Sequence, residues 1–209
     1  MQDILRELNG FVQKGRDKNV RELTAQALDS GIPARSILEG ALLPAMDVVG
    51  EKFKTGELFI PHVLMAAKAM KTGMDLLRPS LVSGDLSSKG TVVLGTVKGD
   101  LHDIGKNLVK MMMEGKGLSV IDLGVDVPAE KFIDSALQNN AAIIGCSALL
   151  TTTMSEMKKV VELVKGRNLS LKVMIGGAPV TQNYCDLIKA DIYTPDAVTA
   201  AEAAVRAIG

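Results

Sequence analysis

Residues 91–107 read Thr-Val-Val-Leu-Gly-Thr-Val-Lys-Gly-Asp-Leu-His-Asp-Ile-Gly-Lys-Asn. The apolar, β-branched run at 91–97 has the length of a buried strand. The polar stretch that follows leads through Gly105 into a helical segment at 105–115. His102 therefore sits on a strand-to-helix loop, flanked by the carboxylates Asp100 and Asp103, with its ring presented outward. In an open sheet of parallel strands, that is where ligands bind.

Downstream the same alternation repeats. Apolar strand runs fall at 119–124, 141–147, 172–176 and about 191–194, and helical segments at 128–139, 153–166, 181–189 and 196–208. Regular alternation of this kind predicts right-handed parallel crossovers and a doubly wound five-stranded α/β sheet. The internal strands are apolar on both faces, as a sheet covered by helices on both sides requires.

Upstream the texture is helical only. Ile4, Leu5, Leu8, Phe11 and Val12 recur at helical spacing, as do Val20, Leu23, Ala27 and Leu28. Pro33 suits the first turn of a third segment through Ile37, Leu38, Leu42 and Met46, which Pro44 is expected to kink or divide. Pro61 opens a fourth through Val63, Leu64, Ala67, Met70, Met74 and Leu77, ending near Pro79. Short loops make these antiparallel neighbours in a four-helix unit. The small, polar stretch Ser80 to Gly90 reads as a connector, so the predicted domains are 1–85 and 86–209.

Composition narrows the function. A chain of 209 residues buries about 70% of its unfolded surface, enough for one large core or two modest ones. Lys plus Arg and Asp plus Glu number 24 each, so no net field draws nucleic acid or an anionic membrane. With no Trp, two Tyr and four Phe, base-stacking platforms are hard to build. The longest apolar runs, such as Ala141–Leu150, are about half the roughly 18 residues of a spanning helix. The start Met-Gln-Asp-Ile-Leu-Arg-Glu lacks the layout of an export signal, so a cytoplasmic protein is expected. Two cysteines, Cys146 and Cys185, stand in no metal-ligand spacing; any metal must arrive inside a cofactor.

The segments after three strands are expected to converge on one crevice. Gly99-Asp100-Leu101-His102-Asp103-Ile104-Gly105 follows the first, Ser147-Ala148-Leu149-Leu150-Thr151-Thr152-Thr153 ends and follows the third, and Gly176-Gly177 follows the fourth. Asp100, His102 and Gly105, then Ser147 and Leu149, then Gly176 and Gly177 resemble the Asp-x-His-x-x-Gly, Ser-x-Leu and Gly-Gly signature of cobalamin-binding domains in methionine synthase and in the small corrinoid proteins of methyltransferase systems. Gly50-Glu51-Lys52-Phe53, Gly56-Glu57-Leu58-Phe59-Ile60-Pro61 and Met70-Lys71 likewise resemble the helical cap of these proteins, so the likeness covers almost the whole chain.

That resemblance implies a helical cap followed by a Rossmann-like (flavodoxin-like) domain that binds cobalamin or a related corrinoid base-off. His102 would be the axial ligand to cobalt, Asp100 would hold its other ring nitrogen, and Thr153 would stand where the family's relay has a serine, adding a methyl. Ser147 would meet the displaced base, with Thr151, Gly176 and Gly177 lining the tail path and Gly99, Asp103, Ile104 and Leu149 near the corrinoid. Phe59, Val63, Ala66 and Met70, on one helical face, would cover the upper face of the ring, with the 80–90 connector as a hinge.

The implied role is a methyl carrier cycling between methylcob(III)amide and cob(I)amide, not catalytic alone. Its partners would be a substrate-specific methyltransferase, an acceptor methyltransferase using tetrahydrofolate or a thiol, and a reductive activase, with no nucleic acid and no membrane. A cobalamin-dependent sensor or regulator is the alternative, and the small subunit of an adenosylcobalamin mutase a third reading. Asp103 is read either as a helix cap or as a ligand contact. Lys106 and Asn107 are read as touching corrin amides or a phosphate, the alternative being that they face water, while His62 is expected to meet solvent and Cys146 to be a buried thiol.

Overall fold

The computed structural model describes residues 2–81 and 89–209. By backbone contacts the chain divides into two units, Met1–Ser87 and Ser88–Gly209. The expected boundary at 85/86 and most of the expected connector lie outside the described residues.

In the first unit α1 (Gln2–Gln13) and α2 (Asp17–Asp29) are followed by α3 (Ala34–Ile37), a π-helical turn (Leu38–Leu42) and α4 (Leu43–Lys54), which run on without a break, and then by α5 (Ile60–Leu81). These make four helical rods among the described residues. Pro44 has no N–H, and its ring would crowd the carbonyl four residues back in a regular helix. The wide turn just before it, in which the Leu43 N–H reaches the Leu38 carbonyl, accommodates the proline without dividing the rod. The helix expected to stop near Pro79 continues to Leu81.

Val63, Ala66, Met70 and Leu77 of α5 are buried, as are Leu8, Val12, Val20, Ala27, Leu42 and Met46. Gly73, on the same α5 face, abuts Leu42 and Val20 so closely that a Cβ there would lie 3.0 Å from Leu42 Cδ1. This face is the bundle's own core. Of the four residues expected to cover a ligand, only Phe59 is open; Ile60, Leu64 and Met65 are exposed beside it in sequence.

In the second unit β1 (Thr91–Thr96), β2 (Ser119–Asp122), β3 (Ile143–Ser147), β4 (Lys172–Gly176) and β5 (Ile192–Tyr193) form one parallel sheet in the order β2-β1-β3-β4-β5. Helices α6 (Ile104–Gly115), α7 (Ala129–Gln138), α8 (Met154–Gly166), α9 (Gln182–Ile188) and α10 (Ala197–Ile208) cover it. Alternate residues of β1, β3 and β4, namely Val93, Ile144, Cys146, Val173 and Ile175, join Phe132, Ile133, Met157, Val160, Val161 and Val164 in one core. β1 and β3 are neighbours although β2 intervenes in the chain, so the strand order reverses there and opens a crevice at their carboxyl ends.

Candidate functional site

The loop leaving β1 is shaped by Gly99, whose φ of +80° lies in the left-handed region that favours glycine. The buried Thr96 hydroxyl donates to the His102 carbonyl at 2.8 Å, tying the loop back to the strand it left. Between these two points Asp100 turns fully inward and His102 outward, its side chain half exposed.

The Asp100 carboxylate is held by five donors. Its Oδ1 accepts the His102 N–H at 3.1 Å and lies 2.8 Å from His102 Nδ1; its Oδ2 accepts the N–H groups of Leu149 and Leu150 at 2.8 and 3.1 Å and the Thr153 hydroxyl at 2.9 Å. Burial alone would push this carboxyl up. The hydrogen bonds from Leu149, His102 and Thr153 outweigh it and hold Asp100 well below the usual carboxylate range. An ionised Oδ1 can only accept, so the Nδ1 facing it carries the hydrogen and, in neutral imidazole, Nε2 keeps its lone pair.

Thr153, buried at the start of α8, also lies 2.9 Å from the Leu150 carbonyl. Its methyl carbon sits 3.6 Å from where a Cβ on Gly99 would stand, so the extra methyl relative to serine fits against the bare glycine. Ser147, half-buried, pairs in register with Thr96 on one side and Gly176 on the other. Gly177 has φ +132°, and a Cβ there would overlap the Ala148 carbonyl oxygen, so the β4 turn presses backbone against backbone beside the β3 loop. The ends of β1, β3 and β4 thus form one polar edge. Exposed Leu101, Leu149 and Leu150 lie in the loops that carry His102 and the donors to Asp100, Ile104 is exposed at the start of α6, and Thr151 and Gly105 are exposed as well.

Other residues singled out in the sequence partly follow expectation and partly depart from it. Asp103 precedes α6 but makes no side-chain cap; it accepts from Asn107 Nδ2 at 3.0 Å. Lys106 turns inward instead of toward a ligand, its ammonium 2.6 Å from Asp122 and 2.7 Å from Asn107 Oδ1. A buried cation needs such partners, and Asp122, drawn up by burial, is brought lower by Lys106 and the Gly124 N–H. His62, exposed, accepts the Phe59 N–H at 3.1 Å through Nδ1, a reciprocal cap on α5. Cys146 is buried, which pushes its thiol far up and leaves it a packing group. Phe59, in the helical unit, is 64% exposed.

Sequence reading missed the Leu149 and Leu150 N–H donors, because main-chain groups leave no trace in residue type. It also passed over Leu101 and the segment after β2, although Gly124 and Pro128 there mark a turn at the same edge.

The donor set suits a metal already held in a macrocycle. Among the described residues no three His, Cys, Asp or Glu side chains gather as a metal cage. His102 offers one oriented nitrogen, beside exposed apolar side chains.

Comparisons with known proteins agree with this geometry. A family model described as B12 binding domain matches residues 90–208, and a second of the same description matches residues 4–78. A corrinoid protein of Desulfitobacterium hafniense (strain Y51) is 42% identical over 211 residues, covering 99% of this chain and 98% of its own. Dimethylamine corrinoid protein 1 of Methanosarcina acetivorans is 43% identical over 199 residues, 94% of this chain and 93% of its own. Among solved structures, the methanol:cobalamin methyltransferase complex MtaBC from Methanosarcina barkeri matches with a TM-score of 0.89 at 30% identity, over 99% of this chain and 80% of that one. A cobalamin-binding protein from Desulfitobacterium hafniense DCB-2 matches with a TM-score of 0.82 at 32% identity, over 98% of both chains. The chain therefore belongs to the B12-binding corrinoid proteins of methyltransferase systems, and its cofactor is cobalamin or a related corrinoid.

Proposed function

We infer that this protein is a methyl carrier that binds its corrinoid base-off with His102 as the lower ligand. The observation that carries the reading is the Asp100–His102 pair at 2.8 Å, which commits Nδ1 to the carboxylate and leaves Nε2 free toward solvent. When bound, a corrinoid supplies a cobalt centre that accepts and gives up a methyl group. The chain's own work is ligation and orientation.

Asp100 fixes the tautomer of the imidazole, so that Nε2 is the nitrogen that would hold cobalt. Leu149, Leu150 and Thr153 keep Oδ2 occupied, so that Oδ1 stays turned toward the ring.

Ser147, Thr151, Gly176 and Gly177 line the slot for the nucleotide tail, and Gly99, Asp103, Ile104, Gly105 and Leu149 border the ring. The helical domain, 1–85, carries the exposed Phe59, while 86–209 holds the cofactor. A substrate-specific methyltransferase loads the carrier. A second methyltransferase passes the methyl to tetrahydrofolate or a thiol, and a reductive activase restores the cofactor after oxidation, as part of one-carbon metabolism in the cytoplasm. Two of the similar proteins, named for dimethylamine and for a methanol:cobalamin methyltransferase complex, support a role of this kind.

The test is reconstitution of the purified chain with a cobamide. Wild type is expected to co-elute with the corrinoid and show the visible spectrum of a histidine-ligated form. His102→Ala is expected to retain less corrinoid, with the spectrum of the methylated form shifted toward the unligated one. Equal loading and an identical spectrum for His102→Ala would refute axial ligation.

A further inference from the structure

We propose that Asp126, on the loop after β2, is a positioning residue that aims the His102 imidazole by holding the Gly99 N–H and the Asp100 carbonyl from the side opposite the β3 loop. The inference rests on the ligation reading above and deepens it.

Asp126 makes two bonds to two consecutive residues. Its Oδ1 accepts the Gly99 N–H at 2.7 Å, and its own N–H donates to the Asp100 carbonyl at 3.0 Å. A carboxylate accepting from a backbone N–H at that distance is a charge-assisted bond, stronger than a neutral pair. Asp126 holds φ +54°, a left-handed conformation uncommon outside glycine, asparagine and aspartate. Its φ and its contacts agree: this turn brings carboxylate and N–H to bear on one short stretch of the neighbouring loop.

The loop bearing Asp126 is itself anchored. The Val127 N–H donates to the Thr96 carbonyl, and the Thr96 N–H to the Gly124 carbonyl, both at 3.0 Å. The Gly124 N–H reaches Asp122, which holds buried Lys106. The β2 loop therefore carries the parallel pairing past the end of β1 as a fixed rail. On one side of the Asp100 residue, Leu149, Leu150 and Thr153 grip the carboxylate. On the other, Asp126 grips the backbone on both flanks of its Cα. The Asp100 N–H donates to the Val97 carbonyl at 3.1 Å, so the end of β1 holds the peptide between Gly99 and Asp100; Asp126 fixes the peptides on either side of it, and with them the direction of the imidazole two residues on.

Three variants separate the bond from the backbone conformation. Asp126→Gly accepts the positive φ without strain but removes the acceptor. Asp126→Asn tolerates the same φ and keeps a carbonyl acceptor. His102→Ala removes the ligand itself. Each is compared with wild type by thermal unfolding, by the apo-protein NMR signals of the His102 ring nitrogens, and by cobamide titration with visible spectra.

Asp126→Gly is expected to unfold within a few degrees of wild type, to lose the distinct Nδ1–H signal of His102, and to weaken histidine ligation by about tenfold, the scale of one charged hydrogen bond. Asp126→Asn is expected to recover most of both. If Asp126→Gly matches wild type in the ring signals and in ligation while His102→Ala loses the ligated spectrum, Asp126 does not position the ligand. A large fall in melting temperature for Asp126→Gly, unrelieved by asparagine, would also overturn the proposal by making the role global. If His102→Ala keeps the ligated spectrum, the ligation reading itself fails.

Discussion

Asp100 and His102 lie two residues apart and meet at 2.8 Å, yet one side chain is fully buried and the other half exposed. The pair spans the boundary between core and solvent at the carboxyl edge of β1. A charge fixed on the dry side thereby determines which nitrogen faces the wet side.

Replacing Asp100 with asparagine removes the charge and sets an NH2 group among donors. Placed at Oδ2, that group faces the Leu149 and Leu150 N–H groups; placed at Oδ1, it faces the His102 N–H. The apo-protein is expected to lose about 2–4 kcal/mol of stability, the range for breaking charged, buried hydrogen bonds. Urea unfolding monitored by circular dichroism measures it.

The same carboxylate makes stability depend on pH. Its value is lowered on folding, so the unfolded chain binds the proton more readily and the contribution is present above the unfolded value, about 3.9. It is lost as pH falls through the lower folded value. The difference in urea stability between wild type and Asp100→Asn is therefore expected to stay level from about pH 8 to 5 and to shrink below about pH 4. A difference that grew toward acid would contradict the assignment.

Thr153 contributes a hydroxyl and a methyl that two variants separate. Thr153→Val keeps the shape but leaves Asp100 one donor short, at about 1–2 kcal/mol. Thr153→Ser keeps the donor and gives up only the methyl against Gly99, about 1 kcal/mol or less. Thermal melts of the two proteins should rank serine above valine.

At Gly177 the limit is steric. A Cβ would overlap the Ala148 carbonyl oxygen, and the φ of +132° is strained for any other residue. Gly177→Ala is expected to cost about 2 kcal/mol or more by forcing the β3 and β4 loops apart. Corrinoid retention on gel filtration, read beside the melting temperature, should fall with it.

Much of this was legible in residue order. Strand and helix positions in the second unit follow from apolar runs and turn signals, and the edges of α6 to α10 differ from expectation by a residue or two. The α5 face was misread because Phe59, Val63, Ala66 and Met70 share a helical spacing that says they lie together, not what they lie against. Lys106 was misread for a related reason. A lysine after a helix-starting glycine resembles an anion contact until Asp122, sixteen residues on, is brought beneath it by the adjacent β2 strand.

The sequence by itself determined the alternation of elements, the outward histidine on the first strand-to-helix loop, and the membership that its three short motifs declare. Only the tertiary structure decided that Asp100 is ionised and which imidazole nitrogen is left free. The donors responsible, at Leu149, Leu150 and Thr153, are 49 to 53 residues distant along the chain. Periodicity records which face of an element is buried. It carries no information about hydrogen bonds that exist only once β1 and β3 lie side by side.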